Sequence, residues 1–267
     1  MSERWRDWDL VQDSEIAGIQ GICFDVDDTF STHGKITAEA FQALWEAREA
    51  GLCLVPVTGR PAGWADHFAR FWPVDAVVGE NGAFTFFMQD GRRRRLDTPM
   101  EYTREDAQKK LAQLRDDILQ RFPHARFSSD QSYREYDLAI DTNEDVEPWP
   151  EADVDELLEM CRAAGAEARL SSVHVNTWFG SYDKYSGFTH WLAEGAPGAS
   201  RVLEPKAWIY LGDSPNDEPM FSRFDACVGV ANVLPFRPRM PVGPRWVSQG
   251  EGGAGFAQVV RRLLERR

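Results

Sequence analysis

The stretch Phe24-Asp25-Val26-Asp27-Asp28-Thr29 closes an apolar run that begins at Ile19. Such a run predicts a buried strand that ends on its carboxylates. Ligands of an open parallel α/β sheet bind beyond the carboxyl ends of its strands, so Asp25 and Asp27 would stand at the edge of the sheet. Two carboxylates this close together indicate a metal site, or a nucleophile with an acid–base partner. The alternative is a polar turn in which Asp and Thr bond their own backbone, and the stretch alone does not decide between these interpretations.

The composition narrows the possible partners. The chain of 267 residues has a formal net charge of −13, a pI near 4.9 and a mean hydropathy of −0.46. These values are typical of a soluble globular protein and argue against nucleic acid or an anionic membrane as a partner. No apolar stretch approaches the ~20 residues that cross a bilayer. Four scattered cysteines without metal-ligand spacing predict free thiols and a cytoplasmic protein; they are Cys23, Cys53, Cys161 and Cys227.

Strand and helix patterns alternate after the opening stretch. Thr37 is a candidate cap for a helix that Gly51 ends. A second apolar run, Leu52 to Val57, leads into Thr58-Gly59-Arg60, and a third, Ala76 to Val78, leads into Gly79-Glu80-Asn81-Gly82. This alternation predicts a doubly wound parallel sheet of the Rossmann-like α/β class.

The pair Thr58-Gly59 is a candidate anion site. A hydroxyl at the end of a strand, followed by glycine and by the dipole of the next helix, is suited to hold an oxyanion. An ordinary strand-to-helix turn has the same sequence, and the pair alone favours that simpler interpretation.

The pattern then changes to that of an insertion. Phe84 to Met88 and Arg92 to Leu96 predict a hairpin around Gln89-Asp90-Gly91, with Arg92 to Arg95 on an exposed edge strand. Further helix and strand patterns follow, up to a strand at His174 to Trp178. We interpret residues 84–182 as an α+β cap with its own sheet, inserted into a catalytic core made of residues 1–83 and 183–267.

Two more groups of polar residues follow the insertion. Asp183-Lys184 precedes a predicted helix, Gly187 to Ala193, and a strand at Ala207 to Leu211 leads into Gly212-Asp213-Ser214-Pro215-Asn216-Asp217. Carboxylates from several strand ends repel one another unless a cation lies among them, and oxygen ligands at a partly open site favour Mg²⁺. A lysine and a threonine beside that metal would complete a site for a phosphoryl group.

Together, these four segments resemble the motifs of the haloacid dehalogenase superfamily. The order is D-x-D-x-T, a strand-end Thr-Gly-Arg, Asp-Lys and G-D-x-x-N-D, and it covers essentially the whole chain. The place of the insertion resembles the type IIB cap of the Cof-like and sucrose-phosphate phosphatase-like members. The resemblance implies a Mg²⁺-dependent phosphatase that acts on a small phosphorylated molecule, such as a sugar phosphate, through an aspartyl-phosphate.

The resemblance also implies roles for the core residues. Asp25 would be the nucleophile and Asp27 the general acid and base, while Thr58 and Lys184 would bind the phosphoryl oxygens. Mg²⁺ would be held by Asp25, the backbone carbonyl of Asp27, and Asp213. Asp217 and Asn216 would be further ligands, or would orient Lys184 and metal-bound water.

Candidate substrate-binding residues lie around this centre. Asp28 stands where relatives often have glycine, and we expect it to contact the leaving group. Gly59 lies beside Thr58, and Arg60 and Asn81 are candidates to line the cleft between core and cap. His174 and Asn176 share one face of a predicted strand, which either faces the active site or forms the polar outside of a sheet.

Two other functions stay open at this point. A phosphomutase of the phosphomannomutase type would use the same core but would require more basic residues in the cap. A non-catalytic binding protein on the same fold is disfavoured because every expected catalytic side chain is present. The sequence predicts neither the identity of the substrate nor the oligomeric state.

Overall fold

The computed structural model describes residues 4–195 and 204–266. Its strands in chain order are β1 Arg6–Asp7, β2 Gly21–Phe24, β3 Ser31–Thr32, β4 Lys35–Ile36, β5 Cys53–Pro56, β6 Ala76–Gly79, β7 Phe84–Gln89, β8 Arg92–Asp97, β9 Arg126–Phe127, β10 Asp137–Asp141, β11 Glu167–Leu170, β12 His174–Trp178, β13 Trp208–Gly212, β14 Ala226–Gly229 and β15 Trp246–Val247. Its α-helices are α1 Asp13–Ile16, α2 Ala38–Glu49, α3 Ala62–Phe71, α4 Arg104–Arg121, α5 Glu151–Ala163, α6 Lys184–His190, α7 Glu218–Arg223 and α8 Gly252–Glu265. Within this described part of the chain, no helix is both long and apolar enough to cross a membrane.

A parallel six-stranded sheet forms the centre of the molecule, in the order β1-β15-β14-β13-β2-β5. All four residues of β2 are buried, and successive side chains point to opposite faces of the sheet. Ile22 and Phe24 therefore pack in the cluster that contains Phe256 of α8, whereas Cys23 packs in the cluster that contains Phe188 of α6. Helices cover both faces, which confirms the doubly wound parallel α/β fold.

The inserted segment has a separate antiparallel sheet, in the order β11-β12-β10-β9. Helices α4 and α5 contribute Leu111, Leu114 and Leu157 to the apolar cluster on this sheet. The cap thus has a hydrophobic core of its own, as the α+β prediction requires.

The hairpin β7–β8 does not join the sheet of the cap. It pairs with β6 in a three-stranded antiparallel sheet, and a parallel bridge between Val57 and Val78 connects β6 to the edge of the central sheet. The predicted cap begins at residue 84, so it includes a hairpin that is hydrogen-bonded to a core strand. The domain boundaries at residues 84 and 182 stay predictions.

The structure confirms several predicted helix ends and turns. The Thr37 hydroxyl accepts a hydrogen bond from the Ala40 N–H and caps α2, and Gly51 follows that helix with φ of 79°. The hairpin turn contains Asp90 and Gly91 with φ of 52° and 71°, the left-handed pair that a tight two-residue turn requires. The arginines of β8 lie on the exposed edge of its sheet.

Helix α6 begins three residues earlier than predicted. The Asp183 side chain accepts a hydrogen bond of 2.7 Å from the Ser186 N–H and caps the helix, so Lys184 is its first residue. The expected start at Gly187 is therefore wrong. The earlier start fixes the backbone of Lys184 in the first turn of the helix.

Candidate active site

The carboxyl ends of β2 and β13 lie side by side. The two strands pair in parallel, with Phe24 opposite Leu211, and the Asp25 N–H donates to the Leu211 carbonyl at 2.9 Å. As a result, carboxylate oxygens of Asp25, Asp213 and Asp217 lie within 4.8 Å of one another. All three residues are buried, so this acidic cluster is enclosed by protein rather than spread over the surface.

Lys184 is the cation of this cluster. Its Nζ lies 2.9 Å from Asp25 Oδ1 and 2.7 Å from Asp217 Oδ1, and the residue is 1% exposed. Burial alone would lower the pKa of Lys184, but Asp217 and Asp25 raise it above its ordinary value. The ammonium group therefore stays charged beside the carboxylate that is predicted to be the nucleophile.

Asp217 is fixed by four hydrogen bonds. Its Oδ1 accepts from Lys184 and, at 2.5 Å, from the Tyr210 hydroxyl, while its Oδ2 accepts from the N–H groups of Asp213 and Ser214 at 2.8 and 3.2 Å. A carboxylate has about four acceptor positions, so Asp217 uses its full capacity. This favours the predicted role of orienting Lys184 over the alternative of direct metal ligation.

Asp213 is held by two residues for which we had predicted no role. Thr29 Oγ1 donates to Asp213 Oδ1 at 3.0 Å, and Asn232 Nδ2 lies 3.4 Å from Asp213 Oδ2. Asn232 also donates to the Asp28 carbonyl at 2.9 Å and so joins two loops of the site. It follows β14 at the same edge of the sheet, and the strand-end rule that found Asp213 could have found Asn232 as well.

The charges of the cluster do not balance. Burial raises the pKa of Asp25 to about 7, although Lys184 lowers it, and burial followed by repulsion from Asp217 raises the pKa of Asp213. Three carboxylates share one ammonium group, so their ionised forms need further positive charge. An enclosed set of carboxylate oxygens has the hard donor chemistry that Mg²⁺ prefers. Asp25 and Asp213 therefore fit a divalent cation.

Asp27 lies outside this cluster and is paired with Arg60. Arg60 Nε is 3.0 Å from both carboxylate oxygens of Asp27, and Nη2 is 2.8 Å from Oδ1. The same guanidinium contacts two carboxylates of the inserted segment, with Nη1 3.3 Å from Asp130 Oδ2 and Nη2 2.5 Å from Glu144 Oε1. We call these four residues the Arg60 cluster; it joins the loop after β2 to the cap.

The Thr58 turn brings core and cap side chains together. Thr58 Oγ1 accepts from the Arg60 N–H at 3.0 Å, and the Thr58 carbonyl accepts from the Asn81 N–H at 3.0 Å. A Cβ atom at Gly59 would lie 3.2 Å from Asn81 Nδ2 and 3.4 Å from Asn176 Oδ1. The absence of a side chain at position 59 therefore leaves room for both asparagine side chains beside the turn.

Asn81 has unused hydrogen-bonding capacity. It is 1% exposed, its φ is 54°, and neither amide atom of its side chain has a hydrogen-bond partner among the described residues. A buried, unpaired amide is costly, which makes this position a candidate contact for a ligand or a water molecule. The predicted location of Asn81 near the contact between core and cap is what the structure shows, and its role in substrate binding stays a prediction.

His174 and Asn176 are buried on β12. His174 Nε2 lies 2.8 Å from Glu144 Oε2, and Asn176 Nδ2 donates to Asp137 Oδ2 at 3.2 Å. Because both side chains are buried, they do not form a polar outer face of the sheet. Asn176 lies on the side of the cap that faces the Thr58 turn of the catalytic core. Both side chains are engaged with carboxylates of the cap, and a direct contact with substrate stays a prediction.

A cavity of about 290 Å³ lies beside the Arg60 cluster, between the loop after β2 and two loops of the cap. The polar side chains that line it come from both parts of the molecule: Asp27, Asp28, His33, Arg60, Asn143 and Glu144. Asp28 has φ of 50°, a left-handed conformation in which glycine is favoured and Asp is tolerated. Glycine, which the resemblance leads us to expect at this position, adopts the same conformation without strain.

The structure thus separates the predicted residues into two groups. Asp25, Lys184, Asp213 and Asp217 meet at the strand ends, whereas Asp27 lies with Arg60 near the cap. The Asn216 side-chain oxygen accepts from the Ser214 hydroxyl at 2.9 Å, within the turn before α7. A role for Asn216 in metal binding stays a prediction.

The chain is similar to one family model and to a set of solved structures. Residues 22–144 match the family model of haloacid dehalogenase-like hydrolases. Among solved structures, a protein of Thermoplasma acidophilum is 20% identical with a TM-score of 0.69, covering 93% of this chain and 99% of its own. A protein of Plasmodium vivax described as a HAD/COF-like hydrolase is 17% identical with a TM-score of 0.71, covering 96% and 99%.

A third solved structure is the sucrose-phosphatase of Synechocystis in complex with sucrose and phosphate. It is 19% identical with a TM-score of 0.59 and covers 91% of this chain and 98% of its own. No curated protein matches the sequence. The solved structures share the fold over nearly their whole length, including the cap.

Proposed function

We propose that this chain, whose residues 22–144 match the model of haloacid dehalogenase-like hydrolases, is a Mg²⁺-dependent phosphatase that hydrolyses a small phosphorylated metabolite. The observation that carries the proposal is the contact of Lys184 with both Asp25 and Asp217, next to Asp213. A buried carboxylate beside a fixed ammonium group is suited to attack a phosphoryl group whose charge is neutralised locally.

The first step would be attack by the Asp25 carboxylate on phosphorus. A P–O bond forms to Asp25 while the bond to the leaving alkoxide breaks, which gives an aspartyl-phosphate. Lys184, oriented by Asp217, would bind a phosphoryl oxygen, and the Thr58 hydroxyl would bind another. When bound, Mg²⁺ would be held by Asp25 and Asp213 and would supply neutralising charge.

Asp27 would handle the proton. It would protonate the leaving alkoxide, then accept a proton from the water that hydrolyses the aspartyl-phosphate, which releases phosphate and regenerates Asp25. In this structure both oxygens of Asp27 accept hydrogen bonds from Arg60. The proposal therefore requires Arg60 to release Asp27 when substrate enters the cleft.

A sugar phosphate is the substrate that we propose. The cavity beside Asp27, at about 290 Å³, is near the lower end of the ~300–1,000 Å³ range of small-molecule sites. The Synechocystis neighbour was solved with sucrose and phosphate, which supports a sugar as the leaving group. The free cysteines Cys23, Cys161 and Cys227 are buried, in keeping with a proposed cytoplasmic location.

Phosphate release from a panel of phosphate monoesters, with and without Mg²⁺, tests the proposal. Wild type would be compared with Asp25→Asn, which removes the nucleophile at nearly constant volume, and with Asp116→Asn on the exposed face of α4. We expect Mg²⁺-dependent release that Asp25→Asn abolishes and Asp116→Asn retains. Equal release by wild type and folded Asp25→Asn would overturn the proposal.

A further inference from the structure

The cavity beside the Arg60 cluster is the place where the leaving group of a bound phosphate ester would lie, if the proposed phosphatase function holds. Asp27, the predicted proton donor to that leaving group, forms part of its wall. Asn143 and Glu144, from the loop after β10 in the cap, also line it. The side chains around this cavity therefore decide which leaving groups are accepted.

The charge of the cavity is predominantly negative. Asp27, Asp28 and Glu144 supply three carboxylates, and Arg60 is the one Lys or Arg among the described residues that line it. Arg60 is already engaged, because it lies within 3.3 Å of carboxylate oxygens of Asp27, Asp130 and Glu144. An anion that enters the cavity would thus find no uncommitted guanidinium or ammonium group on these walls.

Glu144 keeps its negative charge. Burial alone would raise its pKa, but the nearby His174 and the hydrogen-bonded Arg60 lower the pKa of Glu144 to about 2. Its side chain is 25% exposed, so one side faces solvent while the other contacts the Arg60 cluster. At neutral pH the part of the cavity that the cap forms therefore carries a fixed negative charge.

We infer that the substrate's leaving group is an uncharged polyol, and that Glu144 discriminates against leaving groups that carry a second anionic group. Like charges at a few Å repel strongly in a partly enclosed site, so a carboxylate or second phosphate would be disfavoured there. Hydroxyl groups avoid this repulsion. They can donate to Asp28 and Glu144 and accept from the Asn143 amide.

This inference also bears on the alternative function. A phosphomutase must bind a bisphosphate with one phosphate away from the nucleophile, which requires a second anion site. The described walls of the cavity offer carboxylates and an already paired arginine instead. The same charges that favour binding of a neutral polyol therefore disfavour a phosphomutase function.

The test compares substrates that differ mainly in one charge. Glycerol 3-phosphate and 3-phosphoglycerate form one pair, and sorbitol 6-phosphate and 6-phosphogluconate form another. For each pair, kcat/KM would be measured with Mg²⁺ for wild type, Glu144→Gln and the control Glu147→Gln. Glu147 is exposed in the same loop and does not line the cavity, so the control removes the same charge nearby.

We expect wild type to favour the neutral member of each pair by about 10-fold or more in kcat/KM, equivalent to about 1.4 kcal/mol. Glu144→Gln should narrow this preference several-fold by lowering KM for the acidic member, and Glu147→Gln should retain it. Equal or better hydrolysis of the acidic members by wild type would overturn the inference, and an unchanged ratio in Glu144→Gln would overturn the role of that residue. Absence of Mg²⁺-dependent hydrolysis of every phosphate ester, including 4-nitrophenyl phosphate, would instead overturn the proposed function on which the inference depends.

Discussion

The strand-end site and the Arg60 cluster are built from similar groups but held in different ways. In the first, Lys184 contacts carboxylates that follow neighbouring strands of one sheet. In the second, Arg60 contacts Asp130 and Glu144, which lie 70 and 84 residues further along the chain, in the inserted segment. The strand-end geometry depends on one rigid sheet, whereas the Arg60 cluster depends on how the cap sits against the core.

The difference separates chemistry from selection. The buried groups at the strand ends can neutralise and attack a phosphoryl group. Every phosphate ester carries that group, whatever its leaving group is. The Arg60 cluster faces the cavity and includes partly exposed carboxylates. Changes at the strand ends, or at Asp27 as the proposed proton donor, should therefore affect all substrates alike. Changes at Arg60, Asp130 or Glu144 should affect cap attachment and substrate choice.

Lys184→Met should give the largest effect. It removes the cation of the strand-end site at similar volume and leaves Asp25 and Asp217 without their shared partner. We expect kcat/KM to fall at least about 10³-fold for every substrate, neutral or acidic, because electrostatic stabilisation at the phosphoryl group is lost. Steady-state kinetics on the two substrate pairs measures this, with Lys109→Met on exposed α4 as the control. A loss restricted to acidic substrates would contradict the division between the two regions.

Arg60→Met should mainly loosen the cap. It leaves Asp27, Asp130 and Glu144 close together without their guanidinium, and breaking a buried ion pair destabilises by about 3 kcal/mol. We expect a lower free energy of unfolding in urea, and faster proteolysis at the loops between core and cap. Arg70→Met removes an exposed i,i+4 pair with Asp66 and should change stability by less than about 0.5 kcal/mol. Equal stabilities of the Arg60 and Arg70 variants would show that the cluster does not hold the cap.

The smallest effect concerns acid pH and Glu144. Its pKa is lowered from an ordinary 4.5 to about 2 in the folded protein. The ionised form therefore stabilises the fold above about pH 4.5, and this contribution disappears as the pH falls towards about 2. Glu144→Gln lacks this stabilisation at every pH. The difference in unfolding free energy between wild type and variant, about 1 kcal/mol for a partly exposed group, should therefore shrink as the pH falls from about 4.5 to about 2. Thermal unfolding of both proteins across the interval measures the difference, and a constant difference would contradict the assigned ion pairs.

The strand-end site was largely predictable because its parts follow local rules. A buried apolar run locates the end of each strand, and the parallel sheet then brings Asp25 beside Asp213. The start of α6 at Lys184 was not predicted, because the capping role of Asp183 was overlooked in favour of Gly187. The sequence did contain the signal for this start: Asp183 is a favoured N-cap residue and lies three positions before Ser186, from whose N–H its side chain accepts a hydrogen bond.

The Arg60 cluster could not be predicted from pattern. Asp130 and Glu144 lie in loops of an acidic cap, where many carboxylates look alike in sequence, and only the packing of cap on core selects these two. The pairing of hairpin β7–β8 with β6 was missed for a similar reason. A hairpin is recognised from its turn, but its turn does not say which third strand will bind its open edge.

The position of β13 between β2 and β14 has a consequence for biosynthesis. During synthesis β2 emerges early, while its neighbour β13, at Trp208–Gly212, emerges only after the entire cap. Until then the nascent chain carries an unpaired apolar strand edge, of the kind that chaperones protect and that aggregates when left exposed. A ribosome-bound chain that stops before Trp208 can contain a folded cap, but it cannot contain the strand-end site.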